Sequence, residues 1–229
     1  GAITALGELV LVRVEKPGNL LLAGVRHKAD VRLIVDAMLK HQAQKVLIDG
    51  AYQRMMAADP DVSQGVILAT GAVLGRSVKE VVRRTRAMLD RLLVPRIDDP
   101  DDTLLLRDAL DHGRIAVRDA DSRILLLPET GVAAGEAGLK VSLGSGDAVV
   151  ALPGALTDRI LKVLLAHKVG HVRILVSDPT RVFSSFTQLQ KFRERGWDIM
   201  AGRAVNLLGI SVNPVSILGY ELPENELLE

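Results

Sequence analysis

The residues of this sequence that could carry chemistry follow short, mostly apolar runs. Asp49 follows the run 45–48, and Thr70 with Gly71 follows the run 65–69. Uniformly apolar runs are typical of strands buried on both faces of a parallel sheet. Open α/β sheets bind ligands beyond the carboxyl ends of their strands. This rule predicts a nucleotide- or anion-binding site made from Asp49, Thr70, Gly71, Gly154, Thr157, Asp158 and Asp178.

Asp49 is the candidate metal ligand. A carboxylate at the end of a buried strand resembles the acid that directs magnesium in P-loop nucleotide enzymes. The pattern therefore predicts ATP and Mg as cofactors, with Asp49 on the metal side. The alternative is that Asp49 merely ends a strand, and the sequence contains no G-x-x-x-x-G-K-[ST] loop to hold the phosphates.

Thr157 and Asp158 follow Pro153-Gly154-Ala155-Leu156, where a helix is expected to begin. The free N–H groups of a helix N-terminus can bind an anion, although most threonines there only cap the helix. Asp178 stands before Pro179, so it could face the same crevice or simply open a turn. No Ser-His-Asp pattern or G-x-S-x-G elbow indicates a catalytic residue, so none is assigned.

These residues need strands and helices to position them, and the hydrophobic period predicts those elements. In the first half we expect a hairpin of strands 9–14 and 19–25, an amphipathic helix near 29–43, and a second helix that begins at Ser77. In the second half we expect a helix at 103–112, a hairpin of 115–117 and 124–127, a strand–helix–strand unit of 147–152, 157–167 and 172–176, a helix near 184–195, and a closing strand within 198–207.

This alternation predicts an α/β protein with a mostly parallel sheet flanked by helices. A P-loop-NTPase-like or related three-layer architecture, divided into two subdomains, is the expected form. Residues 1–96 carry 15 basic and 9 acidic side chains, whereas residues 97–229 carry 14 and 19. The sign changes at Ile97–Asp102, which predicts an exposed connection between units 1–96 and 97–229; the alternative is a solvated loop within one domain. The first unit begins at Gly1 without a methionine and is expected to be N-terminally truncated.

Composition excludes several classes of protein. The chain of 229 residues has no cysteine, so it has no disulfide framework and no thiol nucleophile. A net charge of +1 and 3% aromatic residues argue against nucleic-acid binding. No apolar run approaches the roughly 18 residues that span a membrane, so we expect a cytoplasmic protein.

Several motifs resemble those of one family. Leu47-Ile48-Asp49-Gly50-Ala51, then Arg54, precede Val66-Ile67-Leu68-Ala69-Thr70-Gly71-Ala72, and Pro153–Asp158 and Val212–Ser216 continue the resemblance over most of the chain. The sequence is thereby similar to proteins encoded beside the adenosylcobalamin- and pyridoxal-phosphate-dependent lysine 5,6-aminomutase and ornithine 4,5-aminomutase.

The resemblance implies an accessory, chaperone-like factor that reactivates such an aminomutase by exchanging damaged cobalamin for intact adenosylcobalamin. Its implied partners are the aminomutase subunits and an ATPase that resembles mismatch-repair clamp proteins; a homo-oligomer is also compatible with the sequence. Adenosylcobalamin would enter only through the client enzyme. Two alternatives remain open: a P-loop-like ligase or kinase domain using Mg-nucleotide, and a non-catalytic structural subunit.

Overall fold

The computed structural model describes residues 3–4, 7–19, 28–49, 55–127, 138–139, 143–167 and 170–228. The chain divides into two compact units, Gly1–Gln64 and Gly65–Glu229. The first unit contains the paired strands β1 (Ile3–Thr4) and β2 (Gly7–Glu8), helix α1 (Lys28–Lys40), and a 3-10 turn at Met55–Ala58.

Helix α1 confirms the amphipathic helix that was expected near residues 29–43. Two strand predictions for the same unit are wrong. Residues 9–14 and 45–48 have no strand structure, and the side chain of Leu47 is 94% exposed. Apolar side chains favour a strand only where a neighbouring strand pairs with it, and neither segment has such a partner among the described residues. Most of the second hairpin strand, 19–25, lies outside the described residues.

The second unit holds the larger part of the secondary structure. In chain order it contains β3 (Val66–Gly71), α2 (Val78–Leu92), α3 (Pro100–His112), β4 (Ala116–Arg118), β5 (Ile124–Leu126), β6 (Ala148–Ala151), α4 (Asp158–Ala166), β7 (Val172–Val176), α5 (Phe186–Glu194), β8 (Asp198–Ala201), β9 (Leu207–Asn213) and α6 (Glu224–Leu228).

Five of these strands form one mixed sheet in the order β5-β4-β6-β7-β8. Strands β6, β7 and β8 are parallel and are joined through α4 and α5, which confirms the predicted strand–helix–strand unit. Strands β4 and β5 form the predicted hairpin, and β4 is antiparallel to β6. The α/β class is confirmed, and the sheet has two antiparallel pairings beside its two parallel ones.

Successive side chains of each strand point to opposite faces of this sheet, and helices pack against both faces. Val150 and Ile174 belong to the core cluster that contains Leu161 of α4 and Phe192 of α5. On the opposite face, Ala116, Ala151 and Leu175 pack with Leu105, Leu106 and Ala109 of α3. Helices thus lie on both sides of the strands that carry the site.

The acidic segment at residues 97–102 is part of the second unit, so the predicted boundary after residue 96 falls inside that unit. The Ala201 N–H donates to the Pro95 carbonyl at 2.8 Å, and the Ile97 N–H donates to the Ala201 carbonyl at 2.8 Å, so residues 95–97 run along β8. Asp99 then caps α3, since its carboxylate accepts from the Asp101 N–H at 2.8 Å. Backbone pairing and helix capping use part of this segment, while Asp98, Pro100 and Asp101 are exposed, and the division into units 1–96 and 97–229 stays a prediction.

The remaining two strands, β3 and β9, form a separate parallel pair. Strand β3 confirms the run predicted at 65–69, but the strand expected within 198–207 ends at Ala201, and β9 begins a new one. Helix α2 begins as predicted, because the Ser77 hydroxyl accepts from the Glu80 N–H at 3.3 Å. In the described part of the chain, no helix has the length and apolarity to cross a membrane.

Candidate functional site

The carboxyl ends of β6, β7 and β8 lead into three loops that are joined by backbone hydrogen bonds. The Gly202 N–H donates to the Val176 carbonyl at 2.9 Å, and the Arg203 N–H donates to the Ser177 carbonyl at 3.0 Å. Since β6 precedes Pro153–Asp158, and β7 precedes Asp178, the predicted residues of the second half share this edge of the sheet. This is the edge at which open α/β sheets bind ligands.

Asp178 is fully buried at this edge, with 0% of the residue exposed. Its Oδ1 accepts from the Thr180 N–H at 3.0 Å and from the Thr180 hydroxyl, and its Oδ2 accepts from the Ser177 hydroxyl at 2.8 Å. These bonds hold the 3-10 turn Pro179–Arg181, so the carboxylate opens a turn.

Two arginines flank the same carboxylate. Arg181 Nε lies 3.9 Å and Arg203 Nη2 lies 3.8 Å from Asp178 Oδ2. Their side chains are 46% and 42% exposed, whereas that of Asp178 is 1% exposed. The buried carboxylate therefore places two solvent-facing guanidinium groups beside each other and offsets part of their mutual repulsion.

The motif Pro153–Asp158 is joined to the loop after β7. Leu156 donates its N–H to the Arg181 carbonyl at 2.9 Å and accepts from the Phe183 N–H at 2.9 Å. The Asp158 carboxylate accepts from the Ser185 N–H at 2.7 Å. These bonds place Arg181 and Phe183, both exposed, on either side of buried Val182.

Thr157 and Gly154 differ from Asp158, because no described group bonds to the Thr157 hydroxyl and no neighbouring atom requires glycine at position 154. Thr157 occupies the N-cap position of α4, but its side chain makes no capping bond, and its buried hydroxyl finds no partner among the described residues. A Cβ added at Gly154 would meet nothing within 4 Å, so no close approach of protein atoms requires glycine there. Both positions remain available to a ligand at the start of α4.

Thr70 and Gly71 are used in packing within the second unit. Thr70 is 9% exposed, and its hydroxyl shares a hydrogen bond with that of Thr85 on α2. Gly71 has a φ of 146°, and a Cβ there would lie 1.9 Å from the Asn213 carbonyl oxygen of β9. The A-T-G motif thus joins β3 to α2 and β9.

Asp49 lies in the first unit and is exposed, at the end of a segment without strand structure. The described residues contain no group of three or more His, Cys, Asp or Glu side chains that could hold a metal ion. The role of Asp49 as a magnesium ligand remains a prediction.

A buried ion cluster on the α3 side of the sheet was missed by sequence reasoning. Asp102 is 1% exposed and accepts from Arg173 Nη1 at 3.0 Å and from Arg118 Nη2. Arg118 and Arg173 flank Val149 in register across β4, β6 and β7, so all three point toward α3. The hydrogen bond to Asp102 raises the pKa of Arg173 above its ordinary value. The sequence contained one indication that Asp102 is buried: it stands three residues before Leu105, on the apolar face of α3.

Comparisons with protein-family models, with curated proteins and with solved structures find no match to this chain. The structure itself defines the class: an α/β protein whose five-stranded mixed sheet lies between helices. The carboxyl edge of this sheet carries exposed Arg181 and Phe183 and half-exposed Arg203, which we call the edge patch.

Proposed function

We propose that this chain is an accessory reactivating factor for an adenosylcobalamin-dependent amino acid aminomutase of the lysine or ornithine type. The resemblance of its motifs supports the choice of client. The observation that carries the proposal is the use of one of those motifs: Pro153–Asp158 holds the loop that presents Arg181 and Phe183 of the edge patch.

The edge patch has the composition of a protein-binding surface. Phe183 is 64% exposed although phenylalanine is ordinarily buried, and two half-exposed arginines accompany it. Aromatic and arginine side chains are enriched in interfaces and dominate their energies. Leu156 forms backbone hydrogen bonds with the residues on both sides of Val182. Because this loop is already held in place, it loses less conformational entropy when a partner binds.

A reactivating factor must bind the inactivated client more tightly than the active one, because a ligand shifts an equilibrium only by its differential affinity. ATP hydrolysis by the implied mismatch-repair-like partner ATPase would reset the cycle. Damaged cobalamin leaves and adenosylcobalamin enters at the client's own site, so this chain holds no cobalamin, and the edge patch contacts client protein.

The test is a reactivation assay with purified proteins. Inactivated aminomutase is mixed with this chain, the partner ATPase, ATP, Mg²⁺ and fresh adenosylcobalamin, and the recovery of activity is followed. We expect recovery with the native chain and a large loss of recovery and of client binding with F183A. The control I124A removes a comparably exposed aliphatic side chain from β5 and should behave as wild type. No recovery with the native chain, or equal recovery with F183A, would refute the proposal.

One observation favours a second function, a P-loop-like ligase or kinase domain that uses Mg-nucleotide. The unpartnered hydroxyl of Thr157 lies at the start of α4, where backbone N–H groups suit a phosphate. Calorimetry with Mg-ATP separates the two functions. Mg-ATP binding by the wild type that is lost in T157V favours the enzyme, whereas the absence of any binding by the wild type excludes it.

A further inference from the structure

Helix α2 carries an exposed basic stripe. Lys79 and Arg86 are separated by seven residues, so they lie on one face of the helix, with Val82 between them. Val82 is 40% exposed. The ion pairs of this helix use other side chains: Arg84 with Glu80 at 2.7 Å, and Asp90 with Arg193 at 3.1 Å. Lys79, Val82 and Arg86 form what we call the α2 stripe.

Helix α3 carries an acidic stripe of the same form. Asp101 and Asp108 are separated by seven residues, and Leu104 lies between them with 55% of its surface exposed. Asp102 points to the other side of the helix, into the arginine cluster. Asp101, Leu104 and Asp108 form the α3 stripe.

The two stripes match position by position. Each has a charge, an aliphatic side chain three residues later, and a second charge four residues after that. Seven residues of helix rise about 10.5 Å, so both charges of one stripe meet both charges of the other in a parallel or an antiparallel alignment, but only the parallel alignment also brings the two aliphatic side chains together. That alignment places Lys79 beside Asp101, Val82 beside Leu104, and Arg86 beside Asp108.

We propose that copies of this chain associate by placing the α2 stripe of one copy along the α3 stripe of another. Charge complementarity selects a second copy as the occupant, because the chain itself supplies an acidic surface with the spacing that its basic surface requires. Exposed ion pairs are individually weak, so the association is reversible and sensitive to salt. The inference is independent of the proposed aminomutase client.

The test uses charge exchange and sedimentation velocity at low salt. In one variant, K79E and R86E reverse the α2 stripe; in the other, D101K and D108K reverse the α3 stripe. Each variant alone places like charges opposite each other, and we expect its self-association to weaken at least about tenfold, or roughly 1.4 kcal/mol. Mixing the two variants restores opposite charges at both contacts, so the mixed species should form with wild-type affinity.

Controls separate this contact from a general effect of net charge. E224K with E226K changes the charge of the exposed helix α6 by the same amount as the α3 variant and should leave association unchanged. Raising the salt from about 0.01 M to 1 M shortens the Debye length from about 30 Å to 3 Å and should dissociate the wild-type assembly. A monomeric wild type at low salt overturns the inference, as does an assembly that neither variant weakens. Binding of RNA to the α2 stripe by a monomeric chain would also overturn it.

Discussion

Replacement of Asp102 by alanine should lower the free energy of unfolding of the second unit. The native carboxylate is 1% exposed and accepts hydrogen bonds from two arginines. Removal of one partner of a buried ion pair costs about 3 to 5 kcal/mol, because the remaining charge lacks compensation. Here the side chains of Arg118 and Arg173 are 18% and 34% exposed, so both guanidinium groups recover part of their hydration. We therefore expect a loss of about 2 to 3 kcal/mol for D102A, and about half of that for D102N, which keeps an acceptor.

Urea unfolding measures this loss through the fluorescence of Trp197. It is the one tryptophan of the chain, it is 4% exposed, and it belongs to the core cluster of the five-stranded sheet. The matched control is D101A, which removes a carboxylate from the exposed face of the same helical turn and should cost less than about 1 kcal/mol. Equal unfolding free energies for D102A and wild type would refute the reasoning, as would a control as unstable as D102A. The first result would mean that Arg118 and Arg173 are fully hydrated without the carboxylate, and the second would mean that the cost comes from loss of any acid in the first turn of α3 rather than from the buried ion pairs.

Two further predictions concern a glycine and a helix cap. G71A should destabilise the pairing of β3 with β9, because its Cβ would lie 1.9 Å from the Asn213 carbonyl oxygen, whereas G154A meets nothing within 4 Å and should unfold like wild type. Hydrogen exchange of the β3 amides checks this, and equal protection in the two variants would contradict it. Backbone hydrogen bonds from Asp102 and Asp101 lower the pKa of Asp99 below its usual 3.8, so the Asp99 cap stabilises α3 above that pH and weakens as the pH falls through the lower folded-state pKa. D99N caps without titrating, and its stability relative to wild type should therefore rise as the pH falls below about 3.8; a pH-independent difference in urea titrations would exclude this contribution.

Sequence reasoning succeeded where the signal is local. Ser77 and the stripe after it predicted α2, and the order strand, helix, strand at residues 147–176 predicted the parallel pair β6 and β7. A capping hydroxyl and a helical period act over a few residues, and a short crossover leaves only the parallel arrangement. The ends of β6 and β7, which precede Pro153–Asp158 and Asp178, were predicted for the same reason.

Sequence reasoning failed where the structure of a segment depends on a partner that is far away along the chain. The run 45–48 has the composition of a strand but no pairing strand in the part of the chain that the structure describes. The acidic segment at 97–102 has the composition of a loop but pairs with β8 and caps α3. The sequence at Asp178 predicts a turn, but it does not indicate that Arg203 Nη2 lies 3.8 Å from Asp178 Oδ2.

The sequence by itself determined the α/β class, most helices of the second unit and the strand ends at which the loops begin. Only the tertiary structure decided which polar residues are consumed by packing and which remain at the surface. Asp158, Thr70 and Asp102 are engaged by groups between 15 and 71 positions away along the chain, whereas Arg181 and Phe183 stay exposed. The physical reason is that a buried polar group must find a partner wherever the fold brings one, and periodicity reports the direction of a side chain without reporting what it meets.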